Sequence, residues 1–582
     1  MTPLFGQEDR VILQASTLAP ISFAPLPDLS VFYNVDAPVD VMAALADELI
    51  AIDEVSAAYV KPAGEPPVLN DMTPAAEDAP PATPDFISRQ IYLDPAPAGI
   101  DARYAWTWPG GGGTGVTIID CEWGWRFDHE DLVHTQGGVV VGAGGTDTNH
   151  GTAVIGEISG DRNTFGITGI CPDAMMSAAA FSLPSASVIT AAANRLNAGD
   201  LLLLEIHRAG PRHNFQGRQD QLGYIAIEWW PDDFAAIAFA TGRGVIVVEA
   251  AGNGAENLDD PIYSTRPPGF PATWTNPFNR ANRDCGAIVV GAGAPPPNTH
   301  GRNHGADRSR LGFSNFGALV DAQGWGREVT SAGYGDLQGG GDARLWYTDT
   351  FSGTSSASPI VTGAVGCLQG ALRAAGKPAM TPASARSWLR ASGSPQQDEP
   401  GRPATQRIGN RPDLRQLINS HVKAYVLLDK GHKEAKLEKL ERKELKDSQK
   451  ELKVEKERGK DKLEIKEGRK DKVEKEQIKD FKEIREGKRF LDERFKPREV
   501  FEREDLLGRG VVGGGPSIAA NTEDRISQLE QAVDALSHFI TEELRPDLSV
   551  GALNREPDLW DDAAASKYEK DLKDKEHLAE NG

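Results

Sequence analysis

Short apolar runs, rich in β-branched residues, recur between positions 85 and 420 and alternate with Gly-rich turns and helical stretches such as 233–243. The runs are VTIID at 116–120, GVVVG at 138–142, LLLLEI at 201–206, VIVVEAAG at 245–252 and AIVVGA at 287–292. Continuous apolar strands of this kind are buried on both faces, as in a parallel sheet covered by helices on each side. The pattern therefore predicts an α/β domain over residues 85–420.

The residues before this domain follow another pattern. Residues 30–35 and 54–60 have the character of strands and residues 38–51 that of a helix, which predicts a small α+β module. The next stretch, 62–84, contains 7 Pro and 5 Ala among its 23 residues. Such a stretch cannot pack a core, so residues 1–84 are predicted to be a module followed by an extended linker.

The C-terminal part of the chain is charged. Residues 421–510 interleave 29 basic with 24 acidic side chains, many of them at the spacings that stabilise a solvated helix. Residues 511–582 contain a Gly-rich linker, a short coiled-coil pattern at 522–544 and an acidic tail. The coiled-coil pattern at 522–544 is too short to form a stable helix alone. We therefore expect residues 430–545 to bind a helical protein partner or to self-associate.

Composition excludes several classes of function. The net charge is −22 and no segment concentrates positive charge, so nucleic acid is not expected as a partner. No window approaches the roughly 18 apolar residues of a membrane span, and the first residues lack the pattern of a signal peptide. We expect a cytoplasmic protein, with release by a non-classical route left open. The four cysteines lack a C-x-x-C pair and are expected to be buried thiols: Cys121, Cys171, Cys285 and Cys367.

Three short stretches of the α/β domain place reactive side chains beside a strand or at the start of a helix. Asp120 ends the apolar run VTIID, and His150 belongs to the stretch NHGT before AVIGEISG. Ser355 lies in FSGTSSASP, just before an apolar helix pattern. The N-terminus of a helix favours developing negative charge. A hydroxyl nucleophile needs a base, an orienting group for that base and donors for the oxyanion, and Asn253 in EAAGNG offers an amide donor.

The order Asp, His, Asn, Ser, with HGT around the histidine and SGTSSASP around the serine, resembles the subtilisin-like serine peptidases over about residues 100–395. The resemblance implies a three-layer α/β/α sandwich and endopeptidase chemistry through an acyl-enzyme. In it Asp120 would orient the imidazole, His150 would be the general base, Ser355 the nucleophile, and Asn253 an oxyanion donor. The module at 22–64 is similar to the inhibitory propeptide of that family. The implied partner is a polypeptide substrate, and no cofactor is required.

Some positions depart from the family pattern. Cys121 and Glu122 replace the small residues that usually follow the aspartate, and these changes are expected to touch none of the four catalytic roles. Glu205, in LLLLEIHRAGP, stands where the family has the strand that pairs with substrate. We therefore consider Glu205 a candidate substrate-binding residue that favours basic side chains.

Two alternatives remain beside this interpretation. Residues 128–131, Asp-His-Glu-Asp, could suggest a metal site, but neighbouring residues on a helix do not face one point, so no metal is assigned. Structural calcium occurs in related enzymes, and nothing in the sequence places it.

The alternative function is an inactive or inhibited peptidase scaffold, delivered as cargo, whose C-terminal tail assembles with a partner.

Overall fold

The computed structural model describes residues 1–6, 26–69, 75–77, 79–134 and 136–423, together with Lys443 and Lys446. The helical segment predicted at 421–510 lies almost entirely outside these residues. The linker, coiled coil and acidic tail predicted at 511–582 lie wholly outside them, so both remain predictions.

The described chain forms strands and helices in alternation over most of its length. The strands are β1 (Thr2–Pro3), β2 (Tyr33–Asn34), β3 (Gly64–Glu65), β4 (Thr117–Glu122), β5 (Gln136–Val141), β6 (Met175–Ala180), β7 (Leu201–Leu204), β8 (His207–Ala209), β9 (Tyr224–Ala226), β10 (Ile246–Ala250), β11 (Ile288–Gly293), β12 (Ala322–Trp325), β13 (Val329–Ala332) and β14 (Tyr347–Phe351). The α-helices are α1 (Met42–Ile50), α2 (Ala102–Ala105), α3 (Asn149–Ser159), α4 (Ser185–Ala193), α5 (Pro231–Gly242), α6 (Thr354–Ala374), α7 (Pro382–Ala391) and α8 (Leu414–Ile418).

Seven of these strands form one parallel sheet in the order β12-β11-β10-β7-β4-β6-β5. Along β4, Ile118 packs into the core that contains α3 and α6, and Ile119 packs into the core that contains α4 and α5. Because successive side chains of a strand point to opposite faces, both faces of the sheet are apolar and covered. The predicted α/β/α sandwich is confirmed.

All five apolar runs of the sequence become strands of this sheet. Each observed strand lies within two residues of its predicted limits, and the predicted helix at 233–243 is observed as α5. No helix among those that the structure describes has the length and apolar character needed to cross a membrane.

The N-terminal region differs from its prediction. Helix α1 and strand β2 lie inside the predicted 38–51 and 30–35, but residues 54–60 form no strand. The next strand is β3, inside the predicted linker, and it adds to β8 of a separate three-stranded sheet. The reason is that a side-chain contact fixes this segment: the ring of Tyr59 packs on that of Phe270, with centroids 4.7 Å apart. A ladder of backbone hydrogen bonds, which a strand requires, does not form at 54–60.

The close packing of α6 against a loop generates a prediction. A Cβ added at Gly370 would lie 2.2 Å from the carbonyl oxygen of Gly110. Although alanine favours a helix by about 1 kcal/mol, overpacking a core costs about 1–3 kcal/mol. We expect Gly370→Ala to lower the midpoint of urea unfolding. Gly312→Ala, where a Cβ meets nothing within 4 Å, is the control. An unchanged midpoint in Gly370→Ala would contradict this packing.

Candidate active site

Two helix N-termini carry the predicted base and nucleophile. His150 lies in the first turn of α3 and Ser355 in the first turn of α6, as the sequence predicts. Phe351, at the end of β14, contacts the imidazole with ring centroids 5.6 Å apart. Both functional side chains are buried, and in the described part of the chain neither Ser355 Oγ nor His150 Nε2 has a hydrogen-bond partner. The two groups therefore lie on adjacent elements but are not hydrogen-bonded to each other.

The hydrogen-bond partner of the imidazole is Glu122, not Asp120. His150 Nδ1 lies 2.7 Å from Glu122 Oε2, within hydrogen-bond distance. Asp120 Oδ2 instead accepts from the indole N–H of Trp125 at 2.7 Å. Glu122, and not Asp120, is thus the carboxyl group in contact with the imidazole. The orienting role of Asp120 stays a prediction. Both carboxyl groups lie on one face of β4 because side chains alternate along a strand, and Glu122 ends the strand.

Glu205 lies beside this pair but does not line an open pocket. Its backbone N–H donates to the carbonyl of Cys121 at 3.2 Å, so the chain after β7 continues alongside β4. Its carboxyl group is completely buried under the first turns of α6, where Oε1 accepts from the hydroxyl of Ser358. The prediction that Glu205 favours basic substrate side chains is not supported by this position.

Burial sets the protonation of the cluster. Loss of hydration raises the pKa of Asp120 and of Glu122 well above the usual range. Repulsion from Glu122 raises the pKa of Asp120 further, whereas the indole N–H of Trp125 lowers it. Burial also lowers the pKa of His150 to about 4. The imidazole is therefore neutral at neutral pH.

Burial dominates the electrostatics of Glu205 as well. It raises the pKa of this carboxyl group well above the usual range, and contacts with the hydroxyl groups of Ser358 and Ser355 offset the rise only in part. Burial therefore disfavours the charged form of Glu205.

Asn253 is oriented by the residue before the serine. Its Oδ1 accepts from the backbone N–H of Thr354 at 2.9 Å and from the Thr354 hydroxyl at 3.0 Å. This fixes the amide so that Nδ2 points away from Thr354 and donates to Gln221 Oε1 at 3.1 Å. The predicted oxyanion donor therefore lies beside the serine turn, with one of its N–H groups engaged by Gln221.

A segment of the chain itself runs through the site. This cleft segment, residues 64–68, begins with β3, which pairs antiparallel with β8. The hydroxyl of Tyr224 donates to Glu65 Oε1 at 2.7 Å. The carbonyl oxygen of Pro67 accepts from the backbone N–H of Ser355 at 3.3 Å. A polypeptide is thus held in the cleft with one carbonyl group at the nucleophile.

The acidic stretch at 128–131 does not converge on one point. His129 Nε2 contacts the carbonyl of Trp346 at 2.8 Å, whereas Asp131 accepts from the N–H of Ile167 at 2.6 Å. Within the described ranges, no group of three or more His, Cys, Asp or Glu side chains could hold a metal ion.

Comparison with known proteins identifies the class. The parallel sheet carries a buried serine and a histidine–carboxylate pair, the groups of a serine hydrolase. Residues 118–410 match the family model Peptidase_S8, described as the subtilase family. The chain belongs to the subtilase family of serine proteases. A search of curated proteins finds no significant match to the sequence.

Solved structures of low identity are similar to this chain. A protease from Pseudoalteromonas arctica is 20% identical, with a TM-score of 0.40 over 58% of this chain and 99% of that one. Fervidolysin from Fervidobacterium pennivorans, a keratinolytic enzyme related to subtilisin, is 20% identical with a TM-score of 0.39 over 62% and 51%. The epidermin leader peptide processing serine protease of Staphylococcus aureus is 18% identical with a TM-score of 0.39 over 60% and 84%.

Sequence reasoning missed two residues of the site. Glu122 could have been found from the alternation in VTIIDCE, which puts residues 120 and 122 on one face of the strand. No comparable signal points to Gln221, which lies in an irregular loop with a φ of 53° and links Asn253 to the cleft segment.

The buried imidazole generates a second prediction. Because burial lowers the pKa of His150 to about 4, its ring should remain neutral as the pH falls through the ordinary histidine value of about 6.5. NMR of ¹⁵N-histidine-labelled Ser355→Ala protein would measure this, with His150→Gln used to assign the signal. A midpoint for His150 near 6.5 would show that the imidazole is not buried in solution.

Proposed function

We propose that this protein is a serine endopeptidase that uses Ser355 as nucleophile, His150 as general base and Glu122 as the orienting carboxylate. The observation that carries the proposal is the cleft segment, whose Pro67 carbonyl accepts the backbone N–H of Ser355. Antiparallel addition of an extended peptide to a sheet edge is a common mode of peptide recognition. The cleft thus holds a polypeptide in the manner that a substrate would require.

The chemistry follows from the protonation states. Neutral His150 takes the proton of the Ser355 hydroxyl through Nε2 while Nδ1–H remains bonded to Glu122. Ser355 Oγ attacks the peptide carbonyl, and the oxyanion is stabilised by the Ser355 N–H and by an N–H of Asn253. His150 then gives the proton to the departing amine. Water hydrolyses the ester with His150 again as base, which regenerates the serine.

Gly353 makes room for the carbonyl group. Its φ is 102°, and a Cβ at this position would lie 2.1 Å from the Pro67 oxygen. Any side chain there would clash with the bound peptide, so the glycine of the serine turn supports the proposed position of the reacting carbonyl group.

The two other carboxyl groups have supporting roles in this proposal. Asp120 is protonated in this mechanism, which leaves Glu122 with the single negative charge next to the imidazole. A charged Glu205 beside Ser355 would repel the developing oxyanion, so its protonated form is the one compatible with catalysis.

The bound segment indicates where the protein would cut itself. The carbonyl at the serine belongs to Pro67, so the bond in position for attack is Pro67–Val68, inside the stretch 62–84 where the sequence predicts a linker. Residues 1–67 would then be an N-terminal segment that blocks the cleft until it is removed.

The nucleophile can be tested directly. Ser355→Ala should abolish labelling by a fluorophosphonate probe and any cleavage in 62–84 seen by mass spectrometry of purified protein incubated alone. The control is Ser356→Ala, because Ser356 Oγ donates to the carbonyl of Trp325 and takes no part in the reaction. Unchanged labelling of Ser355→Ala would contradict the proposal. No labelling of the unaltered chain, before or after incubation, would favour the inactive scaffold.

The orienting carboxylate can be tested by a pair of isosteric changes. Glu122→Gln should slow fluorophosphonate labelling by about 1,000-fold or more, because the amide no longer fixes the imidazole tautomer. Asp120→Asn should cost at most about 10-fold, since Asn still accepts from Trp125 and donates to the glutamate. If Asp120→Asn slowed labelling more than Glu122→Gln, the orienting group would be Asp120.

A further inference from the structure

A buried ammonium-binding site lies upstream of the cleft segment. The ammonium group of Lys61 contacts Asp232 and both carboxylate oxygens of Asp233, the latter at 3.1 Å each. It also donates to the hydroxyl of Ser185 at 3.2 Å. Asp232 and Asp233 belong to the first turn of α5 and Ser185 begins α4, so two helix N-termini meet at this ammonium pocket.

The pocket is charge-balanced only when a cation occupies it. The side chain of Asp233 is fully buried and that of Asp232 is 9% exposed. Arg208 of β8 supplies one compensating charge, with Nε 3.5 Å from Asp233. Lys61 supplies the other, and without it one buried carboxylate would have no counter-charge. Removing one partner of a buried ion pair leaves an uncompensated charge and is strongly destabilising.

An aromatic site adjoins the pocket. The ring of Tyr59 packs on Phe270, and its hydroxyl donates to Asp232 Oδ1 at 2.8 Å. Between Tyr59 and Lys61, the side chain of Val60 points outward and is 48% exposed. Residues 59 and 61 therefore enter two neighbouring sites while residue 60 faces solvent, which is the alternation of an extended peptide on a protein surface.

The pocket is continuous with the peptide cleft. Arg208 donates to the carbonyl of Pro62 as well as to Ser185, and its backbone pairs with Gly64 of β3. Lys61 lies six residues before Pro67, whose carbonyl is at the nucleophile. One stretch of extended chain thus spans both the ammonium pocket and the serine.

We propose that Asp232 and Asp233 form a lysine-binding subsite for polypeptide substrates, six residues before the bond that is cut, and that the N-terminal segment occupies it in the resting protein. This inference rests on the proposed function, because it assigns the cleft segment the position of a substrate. Once that segment leaves, the two carboxylates are available to bind the ammonium group of a substrate. Substrates with an aromatic residue and a lysine two positions apart, upstream of the cut, meet both sites.

Peptide binding tests the subsite without any hydrolysis. The protein is the self-processed chain separated from residues 1–67, so that no internal lysine competes for the subsite. The probe is a fluorescent peptide with the sequence of residues 57–67, AAYVKPAGEPP. By fluorescence polarisation it should bind at least about 10-fold more tightly than versions carrying norleucine or acetyl-lysine at the lysine position.

Matched variants locate the effect. Adding Asp232→Asn and Asp233→Asn should remove the preference for lysine, whereas Asp342→Asn, an exposed carboxylate paired with Arg344, should leave it intact. Equal affinity of the three peptides, or no binding of any of them, overturns the proposal. Neither result bears on the nucleophile, which the labelling of Ser355 tests separately.

A second measurement tests the subsite during turnover. The unaltered chain is incubated with fluorogenic peptides spanning residues 57–72, with lysine or norleucine at position 61. The norleucine peptide should show a KM at least about 10-fold higher and a kcat within about twofold, because the subsite binds far from the reacting bond. Equal KM values overturn the proposal.

Discussion

The parallel pairing of β4 with β7 determines where the charges of the site lie. Asp120 pairs with Leu203 and Cys121 with Leu204, so the next step along both strands brings Glu122 beside Glu205. The same face of the sheet lies beneath the N-termini of α3 and α6, which carry the histidine and the serine. Three carboxyl groups are thereby confined with one imidazole and one hydroxyl in a buried region.

This confinement limits the number of charges. Two carboxylates about 4 Å apart at an effective dielectric constant of about 20 repel each other by about 4 kcal/mol, before any cost of desolvation. Burial raises the pKa of all three carboxyl groups, so more than one charge among them is disfavoured. In the proposed mechanism the single charge lies on Glu122, which contacts the imidazole. Burial also accounts for the neutral histidine.

The sheet was predictable from the sequence because continuous apolar runs mark strands that are covered on both faces. Strand β6 was not, since its sequence MMSAAA has few β-branched residues and becomes a strand only by pairing between β4 and β5. The positions of His150 and Ser355 on helix N-termini were also predictable. The choice between Asp120 and Glu122 was not, because both face the same side and only the indole of Trp125 decides between them.

The resting site is one hydrogen bond short of what the proposed oxyanion requires. The carbonyl oxygen of Pro67 accepts one hydrogen bond, from the N–H of Ser355. The amide of Asn253 donates to Gln221 instead, and the amide of Gln221 donates to the carbonyl of Pro66 at 3.3 Å. The N–H of Val68 bonds back to the same Pro66 carbonyl at 2.9 Å, so the chain turns at the position of attack. Affinity upstream and reactivity at the serine are therefore set by different contacts. In the proposed mechanism the ammonium pocket binds the peptide. The carbonyl group of the peptide becomes reactive when the Asn253 amide is released from Gln221 and donates to it.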